Sequence, residues 1–268
     1  MKSFGKIYTA VIFVFLYTPI ILLTALSFNT SKNTVKFEGF TLKWYTELFS
    51  NSTLLSLLLN TLIIAVIASV VATLLGTMAA VGISRMKKRM QRAVMTVTNI
   101  PMTNPDIVTG VSLALLFVFI GSLMKYNNVL GFWTLLIAHI TFGLPYVILS
   151  VLPKIRQMDR NLTDAALDLG CTPLQSFFKV MLPEIMPGVF TGMTMVFTLS
   201  LDDFVISYFV YGSSFSTLPI EIYNYTKKPI PPTIYALFTL LFTIILLLMI
   251  VMNIFQARDE NKKKAIAL

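Results

Sequence analysis

The apolar positions of this chain form six long continuous runs that are separated by shorter polar segments. A helix needs about 20 apolar residues to cross the hydrocarbon core of a bilayer, and these runs reach that length. They do not alternate apolar and polar residues with a period of two, so the strands of a membrane barrel are not indicated. The pattern predicts an all-α membrane protein with a single transmembrane domain over residues 1–268, whose six transmembrane helices lie near residues 7–28, 54–83, 93–124, 132–151, 187–211 and 233–255.

Composition and charge agree with a membrane protein. Hydrophobic residues make up 56% of the chain and charged residues 12%, a balance that a soluble domain of 268 residues would not need. The net charge of +9 would suit a nucleic-acid partner if the basic residues formed one patch. They lie instead in short segments between the apolar runs, which is the pattern that orients a protein in a bilayer. We therefore expect contact with membrane lipid and no nucleic-acid binding.

The distribution of Lys and Arg predicts which side of the membrane each segment occupies. Most of the 21 basic residues lie before the first run, between the second and third, between the fourth and fifth, and after the sixth. Such segments stay in the cytoplasm, so both termini are predicted to be cytoplasmic. The first segment on the other side contains Trp44, Tyr45 and Phe49, and we expect these rings to lie flat at the membrane surface.

Residues 158–187 form a polar break on the predicted cytoplasmic side. Asn161 or Thr163 can cap a short helix that carries Asp164 in its first turn, and Gly170 is placed to end that helix. Thr172 can then cap a second helix.

This second helix has Pro173 at its first position and is predicted to end at Pro183. Two short helices that meet at a glycine bend make a compact shape suited to docking on another protein. The alternative is an ordinary amphipathic loop helix with no docking role.

The same residues resemble the EAA motif of ABC importer permeases, which reads Glu-Ala-Ala-x3-Gly-x9-Ile-x-Leu-Pro. Asp164 replaces the motif's Glu and Val180 replaces its Ile, and the remaining positions match at Ala165, Ala166, Gly170, Leu182 and Pro183. The resemblance implies the type I ABC importer (MetI-like) permease fold. It also implies that residues 158–187, named the coupling segment below, carry a cytoplasmic coupling helix that docks on an ATPase subunit.

Three acidic residues, Asp106, Asp202 and Asp203, fall inside the predicted spans, and no Lys or Arg does. A charge at the bilayer centre costs a few kcal/mol, so such residues usually face a bundle interior or a water-filled path. If the helices are straight, Asp106 and Asp202 both lie about 20 Å from the inner face. A cationic substrate would neutralise them, and the sequence therefore predicts a path for cations.

Each acid also has a structural alternative. Asp106 follows Pro105, where a helix can break and restart, and the free amides of a first turn would then satisfy its carboxylate. Asp202 and Asp203 are about 100° apart on a helix, so both cannot face one spot, and the sequence leaves open which one faces the path. His139 is predicted to be a hydrogen-bonded packing residue rather than a proton relay.

Motifs for chemistry are absent from the sequence. The chain has no GxxxxGK[ST] phosphate loop, no HExxH and no supported Ser-His-Asp set. We therefore predict a transport subunit that is not an enzyme and that holds no catalytic residue, no metal and no cofactor of its own. The energy has to come from a partner ATPase subunit, which would bind the ATP and Mg.

Two further stretches resemble the polyamine branch of the ABC permease family. SLDDFVI at residues 200–206, with LP-x-x-IY at residues 218–223, is similar to that branch, and so are residues 99–117. The chain most resembles the PotC-type permeases of spermidine/putrescine importers. It departs from the branch at Tyr235, where Asn is usual, and in residues 211–216.

The resemblance implies a permease subunit that carries spermidine and putrescine across a bacterial cytoplasmic membrane by alternating access. Its partners would be a PotB-type permease subunit in a heterodimer, an ATPase subunit dimer and an extracytoplasmic polyamine-binding protein. Ammonium groups are attracted to aromatic faces, so Tyr208 joins the three aspartates as a candidate in the substrate path. The alternatives are the same fold for another small solute such as ferric iron, and a cation-conducting membrane protein.

Overall fold

A computed structural model describes residues 2–31, 36–126, 128–159, 161–226 and 230–266. Nearly all of this part of the chain is helical, and six of its helices are long and apolar enough to cross a membrane. This agrees with the predicted all-α membrane fold. A π-helical turn, Phe177–Met181, joins the eighth and ninth α-helices. The helices are α1 (Lys2–Ser27), α2 (Lys43–Ser50), α3 (Ser52–Ser84), α4 (Lys88–Thr103), α5 (Asp106–Leu123), α6 (Phe132–Gln157), α7 (Asn161–Asp168), α8 (Pro173–Ser176), α9 (Leu182–Asp202), α10 (Val205–Val210), α11 (Leu218–Thr226) and α12 (Pro232–Ile266).

For the third apolar run the range 93–124 predicted one helix, with a break at Pro105 as the alternative for Asp106, and the run has that break. It consists of α4 and α5, which are separated by Asn104 and Pro105 in extended conformations, with ψ angles of 143° and 136°. The cause is local, because the ring of Pro105 disfavours a helical conformation at the residue before it. Because α4 and α5 are not one straight helix, the predicted depth of Asp106, about 20 Å from the inner face, no longer holds.

The fifth apolar run differs from the predicted range 187–211 at both ends. Pro183 does not end a helix, because the π-helical turn continues directly into α9, and the amide of Leu182 bonds to the carbonyl of Phe177 five residues earlier. Pro183 then lies in the first turn of α9. At the far end α9 stops at Asp202, and the chain restarts as α10.

Residues Leu57–Tyr223 form one compact unit, and α6 and α9 pack along each other within it. Val147, Val151 and Ile185 are completely buried at this contact. Small residues let the two helices approach closely, as is common in membrane bundles. A Cβ atom on Gly188 would lie 2.7 Å from the carbonyl oxygen of Ser150.

We expect Gly188→Leu to lower the free energy of unfolding in detergent by about 1–3 kcal/mol, because the added side chain would force α6 and α9 apart. Gly82→Leu is the matched control, since no atom lies within 4 Å of the position of its Cβ. Denaturant unfolding followed by circular dichroism measures both variants. Equal stabilities of the two variants would contradict the close contact.

The second compact unit comprises Met1–Ser56 and Asn224–Leu268, in which α12 packs against α1 and α2. The aromatic residues of this unit that are predicted to lie at the membrane surface are not all exposed. Phe49 is exposed, but Trp44 is buried, and its indole N–H donates to the carbonyl of Asn29 at 2.6 Å. The prediction for Trp44 was wrong because the polar indole nitrogen finds a partner inside this unit.

Candidate substrate path and coupling segment

Two of the three candidate carboxylates are exposed. Asp106 is the first residue of α5, and Asp202 is the last residue of α9. Among the residues that the structure describes, neither has an ion-pair partner. Both therefore keep acceptor sites free for a cation.

The first turns of α5 lie beside α10. Gly110, one turn after Asp106, permits this contact, because a Cβ there would lie 3.2 Å from the Cα of Ile206. The fold thus brings the start of α5 to the chain that follows the aspartate pair.

Asp203 has a different environment from its neighbour. Its Oδ1 accepts from the backbone amide of Ile206 at 3.2 Å, and its Oδ2 accepts from the amide and the hydroxyl of Ser207 at 2.8 and 2.7 Å. These bonds satisfy the first amides of α10. The Nε2 atom of His139 lies 3.4 Å from the same Oδ2.

His139 is buried and hydrogen-bonded on both ring nitrogens, as predicted for a packing residue. Its Nδ1 lies 2.6 Å from the hydroxyl of Ser200, and its Nε2 lies 2.9 Å from the hydroxyl of Ser207. The sequence did not indicate these serines. Ser200 and Ser207 are 61 and 68 positions away from His139 in the chain, so only the fold brings them together.

Tyr208 belongs to a cluster of aromatic rings, named the aromatic cluster here. Phe204 stacks on Tyr223 with ring centroids 4.5 Å apart. Tyr208 packs against both at 5.4 and 6.0 Å and is 40% exposed. The sequence identified Tyr208 and missed Phe204 and Tyr223, although Phe204 directly follows the aspartate pair. The cluster offers aromatic faces close in the chain to Asp202.

The coupling segment has the predicted glycine bend. Gly170 follows α7 with a φ angle of +86°, a left-handed conformation that suits glycine. Its amide bonds to the carbonyl of Leu167, and the amide of Cys171 bonds to the carbonyl of Ala166. This pair of bonds is the Schellman motif that ends many helices. The free thiol of Cys171 is half-buried.

Thr172 caps the next helix as predicted. Its hydroxyl accepts from the amide of Gln175 at 3.3 Å, and the side chain of Gln175 accepts from the amide of Thr172 at 3.0 Å. The hydroxyl of Ser176 donates to the carbonyl of Thr163 at 3.4 Å and so ties α8 to α7. The bend is therefore fixed by hydrogen bonds on both sides.

The residues of the EAA motif divide between the surface and the interior. Asp164 and Ala165 are exposed on α7, and Ala166 is buried. Leu182 packs against the core between α6 and α9, while Pro183 is exposed. The motif thus joins an exposed helix to the packed start of α9.

Large apolar side chains around the bend are exposed. Leu169 is 86% exposed, Leu174 72% and Phe178 61%. We call these three residues the apolar docking surface. A cavity of about 770 Å³ lies under the same segment and is lined by Asp164 and the basic residues Arg85, Lys87, Lys88 and Arg156. The coupling segment and the basic residues of the loop between α3 and α4 therefore lie on one side of the bundle.

Comparison with known proteins identifies the family. The family model described as "Binding-protein-dependent transport system inner membrane component" matches residues 72–262, which include the coupling segment and all three aspartates. The chain belongs to this family. It is thus a multi-pass inner-membrane permease component and not an enzyme.

Individual relatives extend the likeness over almost the whole permease. The chain is 38% identical over 251 residues to the spermidine/putrescine transport system permease protein PotC of Escherichia coli (strain K12), covering 94% of this chain and 92% of that protein. It is 36% identical over 252 residues to the putrescine transport system permease protein PotI of the same strain, covering 94% of this chain and 90% of that protein.

A solved structure supports the permease fold. A chain of a bacterial ABC transporter involved in the import of the acidic polysaccharide alginate superposes with a TM-score of 0.72, covering 96% of this permease and 95% of that chain. The identity of 15% means that this likeness concerns the fold alone. The type I ABC importer permease fold predicted from the EAA motif is confirmed.

Proposed function

We propose that this permease translocates polyamines, spermidine and putrescine, by alternating access driven by ATP hydrolysis on a partner subunit. The observation that carries the proposal is the exposed carboxylate of Asp202, which forms no ion pair within the described residues and is followed in the chain by the aromatic cluster, in which Tyr208 is 40% exposed. Ammonium groups bind to carboxylates and to the faces of aromatic rings, and a polyamine carries several along one flexible chain. The two E. coli relatives are named for the same substrates.

The substrate path we propose contains Asp106, Asp202 and Tyr208. Asp106 supports the proposal because it is exposed and because α5 begins beside α10. Tyr208 supports it through its exposed ring in the aromatic cluster. A path with separated acceptors fits a substrate whose ammonium groups are several bonds apart.

The partners we propose are a PotB-type permease subunit, an ATPase subunit dimer and an extracytoplasmic polyamine-binding protein. The description of the family as binding-protein-dependent supports the last. The apolar docking surface supports an ATPase contact, because exposed clusters of large apolar side chains mark protein interfaces. ATP and Mg would be bound by that ATPase subunit.

The orientation we propose places both termini and the coupling segment in the cytoplasm. Its support is the positive-inside rule together with the basic cavity under the coupling segment, since cytoplasmic loops carry the excess of Lys and Arg. Cysteine-scanning with an impermeant thiol reagent, on residues of the loop between α3 and α4 and of the α1–α2 segment, tests the orientation.

The experiment that tests the substrate uses the complete transporter, purified with the products of neighbouring genes and reconstituted in liposomes with its binding protein. We expect spermidine or putrescine to stimulate ATP hydrolysis and to compete with labelled putrescine for uptake. Competition by ferric iron alone would overturn the polyamine assignment. Cation flux through the isolated permease without any ATPase would instead favour a channel.

A further inference from the structure

The break between α9 and α10 is surrounded by buried polar side chains. Ser200 is 5% exposed, His139 3% and Ser207 0%, and all three lie within one hydrogen-bonded group with Asp203. Polar groups in the interior of a membrane bundle are costly unless they are bonded to each other. The group therefore needs an explanation beyond the packing of apolar helices.

The donor and the acceptor of each hydrogen bond in this group can be assigned. The hydroxyl of Ser207 donates to Asp203, so its oxygen accepts from Nε2–H of His139. In the neutral ring Nδ1 then accepts a hydrogen bond from the hydroxyl of Ser200. A chain of donors thus runs from Ser200 through His139 and Ser207 to the carboxylate.

Asp203 is largely enclosed at the end of this chain, with a side chain only 10% exposed. A carboxylate offers about four acceptor positions on its two oxygens. Two backbone amides and the hydroxyl of Ser207 occupy three of them, and Nε2 of His139 lies 3.4 Å from Oδ2. An ammonium group would have little access to this carboxylate, whereas Asp202 next to it is exposed and forms no ion pair within the described residues.

We infer that Asp203 is not a substrate contact but the centre of a buried clamp with His139, Ser200 and Ser207, which holds the break between α9 and α10 and leaves Asp202 as the carboxylate presented to the substrate. Through His139, the clamp connects α6 to the C-terminal end of α9 and to the N-terminal end of α10. Its members are positioning residues. The role of Asp202 rests on the proposed function, but the clamp itself does not.

The first test is a double-mutant cycle on thermal stability of the purified transporter. We expect Asp203→Asn and His139→Ala each to lower the melting temperature, and the double variant to melt no lower than the worse single variant, because both changes break one network. Asp202→Asn should melt like the wild type. Independent, additive losses for His139 and Asp203 would overturn the clamp.

The second test is a double-mutant cycle that measures the KM for polyamine uptake. Residues that only stabilise the fold would not make the effect of one substitution on the KM depend on Asp202. His139→Ala should raise the KM about tenfold in the native background, because loss of its hydrogen bonds to Ser200 and Ser207 releases the end of α9 and with it Asp202. It should raise the KM less than about twofold in the Asp202→Asn background, because the carboxylate that it misplaces is absent there. Equal increases in both backgrounds would show that the network does not act through Asp202.

Three further outcomes keep the assignments distinct. If Asp203→Asn raised the KM as much as Asp202→Asn and left the melting temperature unchanged, Asp203 would be a substrate contact and the inference would be wrong. If His139→Ala failed to assemble, Ser200→Ala, which removes one hydroxyl at the start of the chain, takes its place in both cycles. If the wild type moved no polyamine, the proposed function would fail while the thermal cycle still decided the clamp.

Discussion

Asp202→Asn is expected to raise the KM for spermidine uptake at least about tenfold without loss of assembly. Asp202 is exposed at the end of α9 and, within the described part of the chain, forms no ion pair, so the change removes a charge without leaving a buried partner unsatisfied. A charge-assisted hydrogen bond to an ammonium group contributes about 1.5–3 kcal/mol, which corresponds to a tenfold effect or more. Uptake of labelled spermidine into proteoliposomes over a range of concentrations measures the KM.

The matched control is Glu47→Gln. This carboxylate on α2 is also exposed, and its one described ion pair is with Lys43 at 3.6 Å, a surface contact of small energetic value. We expect a KM close to that of the wild type. Wild-type kinetics in both Asp202→Asn and Asp106→Asn would rule out carboxylates as the substrate-binding groups of this permease.

Replacement of Gly170 is expected to uncouple ATP hydrolysis from transport. With a φ angle of +86°, most residues other than glycine and Asn are strained here, by about 1–2 kcal/mol for an ordinary side chain and more for a β-branched one. A Cβ at this position meets no atom within 4 Å, so the strain is in the backbone and not in packing. Gly170→Val should therefore distort the bend and turn the apolar docking surface away from its partner. Polyamine-stimulated ATP hydrolysis should fall about tenfold, and Gly170→Trp, which adds bulk, should abolish it.

Gly170→Asn separates the two possible causes. Asn is close to Val in size but tolerates the left-handed conformation. Near-normal coupling in Gly170→Asn, together with loss in Gly170→Val, is the expected pattern. If Asn uncoupled the transporter as completely as Val, bulk at the interface would be responsible, and coupling that survived in Gly170→Trp would remove the docking role altogether.

The sequence predicted well those features that depend on a few consecutive residues. The apolar runs predicted the spanning helices because length and hydropathy alone decide them. Gly170 and Thr172 predicted the bend and the following cap because both use local hydrogen bonds. The resemblance to the EAA motif implied the fold, and the matched positions lie in α7, at the bend and around the start of α9.

Two kinds of feature were harder to predict from the sequence: the ends of helices near proline, and contacts between helices. At Pro105 and Pro183 one residue type gave opposite results: the first breaks a helix, while a π-helical turn before the second accommodates its ring. The sequence does not show where such a turn forms. The choice between Asp202 and Asp203 stayed open in the sequence, because His139 lies on a different helix and no local pattern indicates that a buried imidazole lies beside one aspartate of the pair.

The bend at Gly170 also has a practical value. Cys171 is the one cysteine in the sequence, and it directly follows this glycine. A maleimide fluorophore can thus be attached at the corner of the native chain without first removing background thiols. Energy transfer from this dye to an acceptor-labelled nucleotide on the ATPase subunit would then record how the corner moves during ATP hydrolysis.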